Sequence, residues 1–144
     1  MAIIEWRDDR FLLGVPEMDD THIEFVDLTN RIMQAPNDEF AQLYDRLIEH
    51  THEHFEYEDR LMVETKFPAT AEHRDEHQRV LGELALFNKR VHSGLVAFGR
   101  NYIRGRMAEW FMLHAATMDS ALAAHIKARQ AAPPSRAPNP GQLT

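Results

Sequence analysis

The sequence has no cysteine. Disulfide staples, thiolate metal sites and cysteine nucleophiles are therefore excluded together. Basic charge is not in excess: 16 Lys+Arg stand against 23 Asp+Glu, a net of −7. That argues against a nucleic-acid binder, which needs basic surface to meet phosphates. No apolar run approaches the roughly 18 residues of a membrane span, so no membrane insertion is expected. The opening residues, MAIIEWRDDR, lack a basic stretch followed by an apolar one, and no secretory signal is read there. With the missing cysteines, this leads to the expectation of a cytoplasmic protein. Glycine is scarce, at 6 residues, and forms no phosphate-cradling loop. An HExxH zinc motif is also missing, because Arg74 rather than Glu follows His73.

Proline marks the breaks. Four of the seven prolines fall after position 132, and the internal punctuation is Pro36-Asn37-Asp38, Lys66-Phe67-Pro68 and Ser93-Gly94. Between these breaks, apolar residues recur at steps of three and four, the period of a helix. Helices are predicted over 19–35, 38–64, 69–92 and 95–129. Asp19 and Asp38 are the expected N-caps, since a short acceptor side chain satisfies free N–H groups at a helix start. Pro36 and Pro68 stop the helices before them. Short links favour antiparallel neighbours. The expected fold is all-α: an up-down-up-down four-helix bundle over residues 1–130, preceded by an N-terminal arm. Residues 131–144 form a Pro-rich tail with little to bury, predicted to be disordered.

Histidine is what the chain has in plenty, with nine residues. His22, His54, His73, His77 and His114 fall on the apolar stripes of the four helices. A buried neutral imidazole needs a partner for each ring nitrogen. A single one is ordinarily a hydrogen-bonded core residue. Five, spread over all four helices, would have to be satisfied separately, whereas a shared metal satisfies them at once. His73 and His77 are four apart, about 40° round the helix and 6 Å along it, so both can reach one ion. His54 and Glu58 have the same spacing. His114 and Asp119 are five apart, about 140° round an α-helix, so one ion could hardly take both head-on. A carboxylate reaching sideways to a metal shared between helices could. Two divalent cations against Glu58, Asp119 and a hydroxide leave a small net charge that a core tolerates better than unpaired carboxylates. The nitrogen and oxygen donors suit iron, manganese, zinc or copper, and do not choose among them. A ferritin-type site wants two Glu-x-x-His motifs, and only Glu49 with His52 makes one.

Taken in order, these residues resemble the hemerythrin family, in particular its bacterial single-domain members. The matching pieces are Trp6 with Leu13-Gly14-Val15, and Met18-Asp19-Asp20-Thr21-His22. Then come His54-Phe55-Glu56-Tyr57-Glu58-Asp59 with Met62, the pair His73 and His77, and Trp110-Phe111 before His114 and Asp119. The resemblance implies two iron ions. His73, His77 and His114 would hold one, His22 and His54 the other, with Glu58 and Asp119 bridging beside an oxo or hydroxo group. It implies a non-enzymatic protein that binds O2 reversibly at the diferrous site, for carriage, storage or delivery. A sensor acting through a partner, a di-iron scavenger of peroxide or nitric oxide, and an iron store are the alternatives.

Other residues have plainer readings. His50, one turn before His54, is expected to point inward, as a lining residue, an outer contact of the centre or a ligand. His52 is expected to be solvated, and His92 to sit near a helix end. His125 lies about 16 Å along the axis from His114, too far to join it. Glu53, Glu56 and Asp59 read as a solvated acidic face. Trp110, Phe55 and Met62 read as packing residues that also wall the pocket. Ala115 and Phe111 depart from the bulky aliphatic residue and the leucine common in the family at these places, and the ring of Phe111 is expected to fill the space beside Ala115.

Overall fold

The computed structural model describes residues 3–131. The tail expected over 131–144 therefore lies, but for Ala131, outside the described residues. Helices are the only regular structure among them. A short helix α1 (Asp8–Phe11) belongs to the N-terminal arm, and α2 (Pro16–Gln34), α3 (Asn37–Glu64) and α4 (Thr70–His92) follow. The last rod runs through α5 (Val96–Tyr102), a π-helical turn (Ile103–Met107), α6 (Ala108–His114), a second π-helical turn (Ala115–Asp119) and α7 (Ser120–Ala131). Its junction residues keep right-handed helical dihedrals, so it is one continuous element. The all-α four-helix bundle is as expected.

The helix starts differ from the expected caps. α2 begins at Pro16, whose fixed φ suits the first helical position. Asp19 lies inside the first turn and accepts the N–H groups of Leu13, at 2.7 Å, and Gly14, at 3.1 Å. It ties the arm down rather than capping the helix. No side chain caps α3, whose flanking Pro36 is extended; Asp38 is an acid in its first turn, where the helix dipole favours it.

The arm is anchored again at Asn30. Asn30 Oδ1 accepts the N–H groups of Ile3 and Ile4, and its Nδ2 donates to the Ile4 carbonyl at 2.8 Å. α4 and α5 approach closely at Gly99, where a Cβ would stand 2.5 Å from Val91 Cγ2.

Two apolar clusters make the core. The larger includes Phe25, Ile32, Phe40, Tyr44, Leu47, Leu84, Tyr102, Ile103 and Phe111. The smaller comprises Val15, Met18, Met62, Leu122, Ala123 and Ile126. Along each of α2, α3 and the last rod, a polar layer separates the two. His22 lies between Met18 and Phe25, Glu58 between Met62 and Phe55, and Asp119 between Leu122 and Ala115. The fold thus encloses a polar slab between two hydrophobic ends.

Candidate metal centre

Seven polar side chains form that slab: His22 from α2, His54 and Glu58 from α3, His73 and His77 from α4, His114 and Asp119 from the last rod. All are buried. The second π turn settles the geometry of the last pair. In an i→i+5 turn, residues five apart come round to nearly the same face. His114 Nε2 and Asp119 Oδ1 accordingly lie 3.1 Å apart. The sideways reach expected for an α-helical spacing is not needed.

The donor atoms fall into two groups that share both carboxylates: Glu58, His73, His77, His114 and Asp119 in one, and His22, His54, Glu58 and Asp119 in the other. Each carboxylate turns one oxygen to each group. Glu58 Oε1 lies 3.2 Å from His77 Nε2 and 3.5 Å from His73 Nε2. Its Oε2 lies 2.6 Å from His54 Nε2 and 3.5 Å from His22 Nε2. Asp119 Oδ1 is 3.1 Å from the Nε2 atoms of both His73 and His114, while Oδ2 is 3.0 Å from His22 Nε2.

Many of these close approaches are not hydrogen bonds. His22 Nε2, His77 Nε2, Glu58 Oε1 and both Asp119 oxygens are buried without an aligned partner. Buried polar atoms are seldom left so, because each costs about 1–3 kcal/mol. Lone pairs converging on a common point, rather than N–H bonds aimed at oxygens, are what metal ligands present. The residues therefore fit a pair of cations, and the all-nitrogen and oxygen donor set fits iron.

Electrostatics agree. Burial opposes a charge on His22, but Asp119 and Glu58 beside it raise the imidazole to about 10. His73, burial notwithstanding, is raised by the same two carboxylates to about 9. Burial works against the Glu58 carboxylate, yet His54, His22 and His73 hold it well below its ordinary range. Asp119 is opposed by burial and by Glu58, and is held low chiefly by His114 and His22. The slab thus retains positive charge around two carboxylates, and cations would take the place of the protons.

A hemerythrin HHE cation binding domain profile matches residues 13–126. The chain belongs to the hemerythrin family. A bacteriohemerythrin of Ralstonia nicotianae is 33% identical over 119 residues, covering 83% of this chain and 85% of that protein. One from Stenotrophomonas maltophilia is 25% identical, covering 89% and 84%. The crystal structure of a wild-type hemerythrin superposes with a TM-score of 0.76 at 22% identity, over 87% of this chain and 98% of that one. A hemerythrin domain implies a di-iron site, and the clustered His, Glu and Asp side chains fit metal binding.

Around the slab, the structure differs from the sequence reading at several residues. Asp59, expected on a solvated face, accepts a hydrogen bond from His77 Nδ1 at 2.9 Å. Its place beside Glu58, at the end of the His54–Asp59 stretch that carries the resemblance, is the hint in the sequence. Glu76 accepts the Trp110 indole N–H at 2.8 Å, and the indole stacks on His114 at 4.5 Å. Phe55 stacks on His77 at 3.9 Å. Phe111 packs edge-on to His22 and stacks on Phe25, which closes the His22 side with apolar rings. His50 does not join the cluster. Its Nε2 lies 3.2 Å from Glu24, and its ring centre is 6.2 Å from that of His54. His52 is exposed, His92 pairs with Asp45, and His125 bonds the Thr65 carbonyl. None of the three reaches the slab.

Proposed function

We propose that this chain binds O2 reversibly at a carboxylate-bridged diferrous centre and serves in oxygen carriage, storage or delivery. The observation that carries the reading is the division of the carboxylate oxygens. Glu58 and Asp119 each give one oxygen to the side of His73, His77 and His114 and the other to the side of His22 and His54. His73, His77 and His114 would hold one iron, His22 and His54 the second, and the two carboxylates would bridge them beside an oxo or hydroxo group. The second position has one imidazole fewer, which leaves room for a ligand. Ferrous ions would supply the electrons that O2 takes up on binding and returns on release.

The protein's own part is to hold, orient and exclude. Phe25 and Phe111 keep water from the His22 side, which limits proton leakage to a bound ligand. Asp59 and the stacked rings of Phe55 and Trp110 fix the orientation of His77 and His114. The working unit is residues 1–130. Among the described residues no helix is long and apolar enough to cross a membrane. The cysteine-free, acidic composition supports a cytoplasmic setting.

Anaerobic reconstitution with ferrous iron tests the reading. Optical spectra are taken before O2, after O2 and after degassing. Repeated return to a colourless state is expected. One-way conversion to an oxidised form would overturn reversible binding and favour the sensor or scavenger.

A further inference from the structure

On the side facing away from the carboxylates, the imidazoles are not equivalent. His77 Nδ1 has Asp59 Oδ1 at 2.9 Å. The Nδ1 atoms of His22, His54 and His73 are buried without a hydrogen-bond partner among the described residues. Asp59 follows Glu58 on α3, so adjacent residues present one carboxylate to the interior of the slab and another to the outer edge of His77. The second Asp59 oxygen lies 3.8 Å from Nε of the exposed Arg74 on α4, beyond hydrogen-bond reach. Aromatic bracing falls on the same side. Phe55 lies parallel to His77, at 4°, and Trp110 nearly parallel to His114, at 21°. His22 and His54 meet their aromatic neighbours only edge-on or tilted.

We propose that Asp59 is a positioning residue that widens the difference already set by three imidazoles against two: the ion held by His73, His77 and His114 binds more tightly and leaves later than the ion held by His22 and His54, and part of that margin comes from Asp59. The proposal rests on the two-metal reading above. A carboxylate on the Nδ1–H of a ligating imidazole fixes the tautomer that offers Nε2 to the metal and makes the ring a stronger donor. Removing such a partner typically costs about 10–100-fold in metal affinity.

Metal release gives the test. The chain is loaded anaerobically with ferrous iron and mixed with excess of a chelator that colours on binding it. The wild type should release its iron in two phases of one ion each. Asp59→Leu should speed the slow phase by about 10–100-fold and leave the fast phase unchanged. Asp59→Asn keeps an acceptor oxygen in the same shape and should speed it less; it carries the test alone if the leucine variant does not fold. Glu56→Gln, at an exposed carboxylate on the same helix, should change neither phase. A second readout separates positioning from general loosening. In the cobalt(II)-loaded protein, the exchangeable, paramagnetically shifted proton of His77 Nδ1 should be lost or moved in Asp59→Leu, while the signals of the other imidazoles stay in place. Single-phase release in the wild type, unaltered release in both Asp59 variants, or acceleration of the fast phase instead would overturn the proposal. Fewer than two ions in the loaded wild type would overturn the two-metal reading itself.

Discussion

His114 Nε2 and Asp119 Oδ1 lie 3.1 Å apart because the turn joining them is π-helical. In an unbroken α-helix the two side chains would point about 140° apart. A π turn amounts to one extra residue, and such turns occur frequently at functional sites.

Deletion of Ala116 removes that residue from an exposed position of the turn. The i→i+4 ladder is then restored, and the helix beyond keeps its register against the smaller core cluster. The metal-free protein should melt no lower than the wild type. Metal retention should be largely kept, because the histidine and aspartate would then stand four apart, about 40° round the helix, where both can still reach one ion. A lower melting temperature without metal would show that the turn is needed for folding.

The shared carboxylates and the unshared imidazoles should fail differently. Glu58→Gln weakens both metal positions, since each uses one of its oxygens. Fewer than one ion per chain is expected by elemental analysis. His22→Leu touches one position only and should leave about one ion, on the five-donor group. Without metal, Glu58→Gln also leaves charged imidazoles without one of their two carboxylates. Breaking a buried pair this way costs about 3–5 kcal/mol. Equal metal content in the two variants would contradict the division of oxygens.

Much of this was legible in the chain, for physical reasons. Apolar residues at helical steps must face a core, so a polar residue on the same stripe must enter it. His22, His54, Glu58, His73, His77 and His114 could be placed that way. What escaped depends on tertiary context. Nothing in Ala115-Ala116-Thr117-Met118-Asp119 announces a π turn, because the cost of the extra residue is met by what Asp119 reaches across the bundle. Asp59 sits beside the stripe, about 100° from Glu58, and looked solvated. It is only 19% exposed because α4 brings His77 over it. His50 shares a stripe with His54, yet Glu24 on α2 draws its ring toward the surface. Asp19 has the chemistry of a cap, but Pro16 starts the helix earlier and leaves Asp19 to hold the arm.

Gly99 should not tolerate a side chain. An added Cβ would stand 2.5 Å from Val91 Cγ2 and 2.8 Å from Phe40 Cε1. Overpacking of this kind costs about 1–3 kcal/mol. Alanine's better helix propensity returns at most about 1 kcal/mol. Gly99→Ala is therefore expected to lower the melting temperature of the metal-free protein, with metal stoichiometry unchanged. The site lies in the large apolar cluster, away from the polar slab. A variant as stable as the wild type would mean that Phe40 and Val91 move apart freely.

Alkali should destabilise the metal-free protein and largely spare the metal-loaded one. His22 and His73 are raised in the folded state from 6.5 to about 10 and about 9. A raised folded-state value means stability that is fully present below the unfolded value of 6.5 and lost as pH climbs through about 9 to 10. Glu58 and Asp119 are depressed in the folded state. Their contribution is present above their ordinary values of 4.5 and 3.8 and lost as pH falls below them. Without metal, melting temperature should therefore be highest between about pH 5 and 7 and decline on both sides. With iron bound, the cations replace those protons, so the alkaline decline between about pH 7 and 9 should largely disappear. On the acid side, protons compete with metal for the imidazoles, so the loaded protein should lose its advantage as pH falls. At neutral pH, metal that binds only the folded state should raise the melting temperature by mass action. Calorimetry of both forms from pH 4 to 9 under anaerobic conditions checks all three features. Identical curves for the two forms would place the bound metal outside the slab.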